Sequence, residues 1–144
     1  MKKSSNVFID TSAWLAILDP ADDHHEKARD YYAGLLERSA RLFTNNVVLD
    51  ETLDRIKQNL GEKVAMEYLS ILDEGVLSVS IRLDWISRRV RRTAIENMIS
   101  NKKTELTLKH FYILETLRRR RIDIVFSFDQ ALKNFDYPIM PQGI

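Results

Sequence analysis

The chain has 144 residues, of which 44% are hydrophobic and 30% charged, the proportions of a globular domain of ordinary size. It has no cysteine, which excludes a disulfide scaffold, a thiol nucleophile and a cysteine-ligated metal, and which fits a reducing cytoplasm. No apolar run approaches the roughly 18–20 residues of a membrane span, and no secretory apolar segment follows the basic start. We therefore expect a cytoplasmic protein without a membrane segment, whose residues 1–144 form a single domain.

Four short, apolar, β-prone segments are the candidate strands. They are Val7–Ile9, Arg41–Thr44, Val76–Val79 and Ile124–Phe128. Between them, apolar residues recur every three or four positions, as in amphipathic helices. These helices are predicted from Thr11 or Ser12 to Leu18, from Asp22 or Asp23 to Leu36, from Asn45 or Asn46 to Leu60, from Glu62 to Asp73, over 82–99 and over 106–117, with a short one after the fourth strand. Gly75 is expected to end the helix before the third strand. Strands that alternate with helices predict an α/β fold with a mostly parallel sheet and helices on both faces.

Two of the predicted strands end in an aspartate, at Asp10 and at Asp129. Ligands of open α/β sheets bind outside the carboxyl ends of the strands, and two carboxylates there need a cation to stay ionised close together. Glu51, in the first turns of the helix after the second strand, is a third candidate. Oxygen ligands of this kind suit Mg²⁺ or Mn²⁺, which orient a water and stabilise charge on a phosphate. Each acid also has a simpler explanation, as a helix cap or a solvated residue, but the coincidence of three favours a metal site.

Four segments carry a resemblance to a known family. They are Val7–Ala13, Asp23–Ala28, Phe43–Leu53 and Phe126–Asp129. In this order, and over nearly the whole chain, they resemble the PIN domain, specifically the VapC-like toxin ribonucleases.

The resemblance implies a three-layer α/β/α sandwich around a mostly parallel sheet and an endoribonuclease that hydrolyses RNA phosphodiester bonds with Mg²⁺ or Mn²⁺. Asp10, Glu51 and Asp129 match acidic positions whose implied role is to hold the metal. Thr11 or Ser12 would orient Asp10 or contact a phosphate of the substrate. The implied partners are RNA, an antitoxin protein and a second copy of the chain in a homodimer.

The family's late helix typically begins with a segment such as Leu-Ser-Phe-Thr-Asp, and here the matching stretch is Leu106–His110. His110 therefore stands where an Asp is expected, and Lys109 precedes it. Three outcomes are open: His110 ligates the metal, it acts as a general acid or base, or the site is weakened. The third outcome is the alternative to a nuclease, a PIN domain that binds RNA or protein without cleavage. The helical pattern places His110 on an inward stripe with apolar neighbours.

The arginines form two clusters, Arg88–Arg92 and Arg118–Arg121. The first either follows an RNA backbone or is the solvated face of a helix, paired in part with Glu96. The second lies at a predicted helix end, where the helix dipole favours cations without any RNA.

Two further features have structural explanations. His24 and His25 are adjacent on a helix, so they point in different directions and make a poor joint metal site. Trp14 is expected in the core, although with Tyr31 and Tyr32 it could form a surface for a partner.

A phosphatase with Asp10 as nucleophile is disfavoured, because such enzymes normally carry a second Asp two residues later, where this chain has Ser12.

Overall fold

The computed structural model describes residues 4–142, so both ends of the predicted domain, with its basic start, lie outside the described residues. Five parallel strands form one sheet in the order β3-β2-β1-β4-β5. The strands are β1 Asn6–Ile9, β2 Arg41–Asn45, β3 Ile81–Asp84, β4 Ile124–Phe126 and β5 Ile139–Met140. The predicted α/β fold with a parallel sheet flanked by helices is confirmed.

Six α-helices connect these strands within the described residues. They are α1 Thr11–Leu18, α2 His25–Glu37, α3 Asn46–Asn59, α4 Glu62–Leu77, α5 Arg88–Ser100 and α6 Leu108–Arg119, and a 3-10 helix follows β4 at Gln130–Phe135. No helix in residues 4–142 is long and apolar enough to span a membrane.

β1 lies at the centre of the sheet and is fully buried along Val7–Ile9. Its neighbours are β2, where Phe8 is opposite Phe43, and β4, where Ile9 is opposite Phe126. A strand covered on both faces has apolar residues in succession rather than in alternation, and this is why the short run was recognisable from sequence.

Trp14 belongs to the main core, as expected. Its ring is fully buried and lies 5.2 Å from that of Tyr68 and 6.1 Å from that of Tyr32. The indole is therefore not available as a surface for a partner. A second buried cluster, which includes Ala94 and Phe111, lies between α5 and α6.

The predicted third strand, Val76–Val79, is wrong. α4 continues past Gly75 to Leu77, whose side chain is 85% exposed, and the strand begins only at Ile81. Gly75 lies within the helix and not at its end, at the point where α4 packs against β3. A Cβ atom built on Gly75 would lie within 2.8 Å of the Ile81 Cβ, closer than real side chains approach. The glycine is required for a close approach and not for a turn.

Other boundaries also differ from the predictions. Residues 82–84 belong to β3, so the arginine-rich helix starts at Arg88 rather than at 82. β4 ends at Phe126 rather than at Phe128. β5 was missed, because two residues are too few to show a strand pattern; it pairs with β4 through Val125 and Phe126.

Candidate active site

Asp10 leaves the sheet directly after β1 and is the N-cap residue of α1, its backbone carbonyl accepting the N–H groups of Ala13 and Trp14. Its side chain makes no cap hydrogen bond with any described residue. The explanation of Asp10 as a simple side-chain cap therefore does not hold. Because Ile9 is opposite Phe126, Asp10 and Ser127 emerge side by side at the carboxyl edge of the sheet.

Two serine hydroxyls hold one oxygen of the Asp10 carboxylate. Ser127 donates to Oδ2 at 2.8 Å, and the Ser12 hydroxyl lies 3.2 Å from the same atom. Ser12 also accepts the backbone N–H of Phe128 at 2.9 Å. Ser12 is thus placed to orient Asp10, one of the two roles considered for it. Sequence reasoning missed Ser127, which stands at the same strand-end position in β4 as Asp10 does in β1.

The other oxygen of Asp10, Oδ1, is buried and accepts no hydrogen bond from the described residues. Burial raises the pKa of Asp10, an effect that the Lys109 charge and the Ser127 hydrogen bond only partly offset. A carboxylate with one unpartnered buried oxygen is costly unless a cation or a proton compensates it.

Asp129 is held by both of its oxygens. Oδ1 accepts the backbone N–H of Ala131 at 3.0 Å, so the residue caps the 3-10 helix, and Oδ2 lies 2.8 Å from Nε2 of His110. The hydrogen bond from His110 lowers the pKa of Asp129 despite the opposing effect of partial burial. Asp129 is linked to Asp10 through Ser127, whose Oγ accepts the Asp129 N–H at 3.0 Å.

His110 is buried in the first turn of α6, as its inward position predicted. Its Nδ1 accepts the backbone N–H of Thr107 at 2.9 Å, the bond that Glu or Gln makes in a capping box. Since Nδ1 is an acceptor, the proton of the neutral ring is on Nε2, which donates to Asp129. Neither ring nitrogen has a free lone pair for a metal in this arrangement.

Lys109 brings Glu51 into the same centre. Glu51 lies in the second turn of α3, which begins after the cap residue Asn45 at the end of β2. Lys109 Nζ is 3.1 Å from Glu51 Oε1, and the two side chains are 24% and 33% exposed. Burial disfavours the ammonium, but the nearby charges of Asp10 and Glu51 outweigh it and raise the pKa of Lys109.

The remaining predicted site residue, Thr11, is placed apart. Its hydroxyl is buried between α1 and α3, 3.4 Å from the Val48 carbonyl oxygen, and it accepts the hydroxyl of Thr52. The two histidines at the start of α2 point in different directions, as expected. The ring of His24, the N-cap residue, stacks on Phe128 at 4.3 Å, and Nδ1 of His25 lies 2.7 Å from the Ala16 carbonyl oxygen.

Two arginines of the second cluster bind an acid that sequence reasoning did not single out. Asp84, at the end of β3, is fully buried and accepts both guanidinium nitrogens of Arg119, at 2.6 and 3.1 Å, and Nε of Arg120, at 2.8 Å. Thr116 also donates to it at 2.7 Å. These two arginines fix the end of α6 to the end of β3 and belong to a structural network.

A PIN domain family model matches residues 7–137. The chain belongs to the PIN domain family. It is 24% identical over 123 residues to a protein named 23S rRNA-specific endonuclease VapC20, from two strains of Mycobacterium tuberculosis, over 85% of this chain and 88% of that protein. The crystal structure of VapC20, described as a toxin that cleaves the sarcin–ricin loop, superposes with a TM-score of 0.79 at 22% identity, over 91% of this PIN domain and 95% of that chain.

PIN-domain nucleases generally depend on divalent metals. In the part of the chain that the structure describes, no three His, Cys, Asp or Glu side chains are placed to hold a metal ion. Glu51 is engaged by Lys109, and one oxygen of Asp129 by His110. Asp10 and Asp129, which Ser127 links, nevertheless suit a hydrated Mg²⁺, because proteins often bind this ion through only one or two carboxylates and one buried oxygen of Asp10 accepts no hydrogen bond from the described residues.

Proposed function

We propose that this PIN domain, one domain over its whole length, is a metal-dependent endoribonuclease that hydrolyses RNA phosphodiester bonds as the toxin of a toxin–antitoxin pair. The observation that carries the proposal is the Asp10–Ser127–Asp129 arrangement at the carboxyl edge of the sheet, with a buried oxygen of Asp10 that accepts no hydrogen bond from the described residues. The similarity to VapC20, a ribosomal RNA endonuclease, supports the choice of RNA. An antitoxin partner, a homodimer and a cytoplasmic location complete the proposal.

Mg²⁺ or Mn²⁺ would be held by Asp10 and Asp129, with Glu51 as the third acid. When bound, such an ion orients a water and stabilises charge on the phosphate. The side chains then have distinct tasks: Ser12 and Ser127 fix the Asp10 carboxylate, and His110 fixes Asp129 through its Nε2 proton. His110 is thus proposed as a positioning residue rather than as a ligand.

The arginines of α5 support contact with an RNA backbone. α5 starts just after the carboxyl end of β3, so its first turns lie at the same edge of the sheet as the site. Arg88, Arg89, Arg91 and Arg92 are exposed. Among the residues that the structure describes, Arg92 alone of these four forms an ion pair, with Glu96 at 3.7 Å. Cations of this kind bind phosphates without regard to sequence, so the affinity for RNA should fall as salt rises.

RNA that contains ribosomal RNA, incubated with the protein and Mn²⁺ or Mg²⁺, tests the proposal. The native protein should yield discrete fragments, and Asp10→Asn should yield none. Asp30→Asn is a matched control, because Asp30 is an exposed aspartate of α2 that pairs with Arg29 at the surface. Intact RNA with the native protein and either metal, at high protein concentration, would reject the enzyme.

A second candidate is a PIN domain that binds RNA or protein without cleaving it. The Lys109–Glu51 and His110–Asp129 contacts favour it, because they occupy acids that a nuclease needs for metal. His110→Asp discriminates between the two candidates: a large gain in cleavage marks the native site as weakened, whereas a loss shows that His110 supports catalysis. Salt-dependent RNA binding without fragments would establish the binding module.

A further inference from the structure

Lys109 is held inside the acidic centre and does not extend into solvent. Its ammonium contacts Glu51 at 3.1 Å, and three-quarters of its side chain is buried. The next residue, His110, is anchored to Asp129 at 2.8 Å and to the backbone of Thr107. The first turn of α6 is therefore fixed against the carboxyl edge of the sheet, and this places the ammonium among the acids.

The charges of the centre explain why an ammonium is stable there. Glu51 contacts the ammonium of Lys109 directly, and the negative charges of Asp10 and Asp129 also attract it. His110, with an acceptor at Nδ1, is the neutral form and adds no positive charge. Among the described groups of this centre, Lys109 is thus the one fixed cation that faces the carboxylates.

We propose that Lys109 is a tethered cation of the acidic centre. Its ammonium binds Glu51 and competes with a divalent ion for the carboxylates. The inference rests on the proposed function, since it concerns the same site. Two ions of like charge repel at short range, so a divalent ion that enters beside Asp10 and Asp129 must displace the ammonium or bind weakly next to it. Glu51 becomes a metal ligand only when Lys109 releases it.

Mn²⁺ binding to the purified protein, followed through the electron paramagnetic resonance signal of free Mn²⁺, tests this inference without any measurement of cleavage. Lys109→Met keeps the length of the side chain and removes its charge. It should bind Mn²⁺ about tenfold more tightly than the native protein, because a close like charge is gone and Glu51 is free. Lys102→Met, at an exposed position between α5 and α6, is the matched control and should bind as the native protein does.

Two further variants test the part played by Glu51. The double variant Lys109→Met/Glu51→Gln should lose most of the gain in affinity. Glu51→Gln alone should change the native affinity less than about threefold, because Lys109 already withholds that carboxylate. The single variant keeps the inference testable if Lys109→Met fails to fold, which circular dichroism would reveal.

Equal or weaker Mn²⁺ binding by folded Lys109→Met would overturn the inference, as would a large loss of affinity in Glu51→Gln alone. A gain that survives in the double variant would overturn the role of Glu51. The proposed function fails by a different result, intact RNA with the native protein. The two failures can be told apart. If the native protein cleaves RNA but Lys109→Met shows no gain in Mn²⁺ affinity, the inference about Lys109 fails and the proposed function does not.

Discussion

Asp10→Asn is expected to stabilise the metal-free protein, although it removes the residue on which the proposed cleavage depends most. The carboxylate is almost fully buried, and Oδ1 accepts no hydrogen bond from the described residues. An amide at this position carries no charge, and its oxygen can still accept the hydroxyl protons of Ser12 and Ser127.

The size of the effect follows from the cost of a buried, unpaired polar group, roughly 1–3 kcal/mol and more when the group is charged. The amide nitrogen of the introduced asparagine would itself lack a hydrogen-bond partner, which offsets part of the gain in stability. We therefore expect a net increase of about 1 kcal/mol in the free energy of unfolding, or about 3–4 °C in melting temperature for a domain of this size.

The pH dependence gives the sign of the effect independently. Burial raises the pKa of Asp10 in the folded state, so folding favours the protonated carboxyl. The contribution of Asp10 to the stability of the native protein is therefore most favourable below its ordinary pKa. This contribution decreases as the pH rises towards the raised pKa of the folded state. Asn cannot titrate, so the advantage of Asp10→Asn should grow as the pH rises over that range and then level off.

Thermal unfolding in EDTA, from pH 4.5 to pH 8, measures this effect. Asp30→Asn, at an exposed position, controls for the loss of a surface charge and should leave the melting temperature nearly unchanged. A lower melting temperature for Asp10→Asn than for the native protein at pH 8 would refute the reasoning from burial. Added Mn²⁺ should raise the melting temperature of the native protein and not that of the variant.

Four other substitutions test the fold and the site. Asp129→Asn should destabilise the protein by about 1–2 kcal/mol at neutral pH, because the hydrogen bond from His110 stabilises the ionised carboxylate and lowers the pKa of Asp129. In the native protein this stabilisation is lost as the pH falls through the lowered pKa. Urea unfolding between pH 3 and pH 7 would show that loss. Asp84→Asn should cost about 3 kcal/mol in urea unfolding, since it leaves two arginines without their buried acid. Gly75→Ala should cost about 1–3 kcal/mol through overpacking. In contrast, Gly34→Ala in α2, where nothing lies within 4 Å, should stabilise by about 0.5–1 kcal/mol, and a loss at both glycines would contradict the packing argument.

The central strands could be predicted from sequence because they are buried on both faces, so that burial leaves a continuous apolar run. β3 could not, because it is an edge strand in which only Ile81 and Asp84 face inward. The apolar run Val76–Val79 had the composition of a strand, but it lies at the exposed end of α4 and the turn that follows. Composition indicated a strand there, while the packing of Gly75 against Ile81 determined where the strand begins.

The site residues differ in how much local signal they carry. Asp10 directly follows a recognisable strand and Asp129 lies shortly after another, which indicates the edge of the sheet at which they lie. Ser127 and Asp84 gave no such signal, because their partners are distant in the chain: Ser127 contacts Asp10 across 117 positions, and Asp84 contacts Arg119 across 35. Their importance depends on the register of the strands and on the orientation of α6, which no local pattern encodes.

The two departures from the family segment at the start of α6 have a common electrostatic meaning. With Lys109 and His110 in place of Thr and Asp, the centre gains one positive charge and loses one negative charge, a change of the size that a divalent ion supplies. The ammonium of Lys109 offsets part of the repulsion among the carboxylates of Asp10, Glu51 and Asp129. It also means that Lys109 already reduces the cost of burying Asp10. The stabilisation by Asp10→Asn should therefore be larger in a Lys109→Met background than in the native one, and the excess measures the coupling between the two side chains.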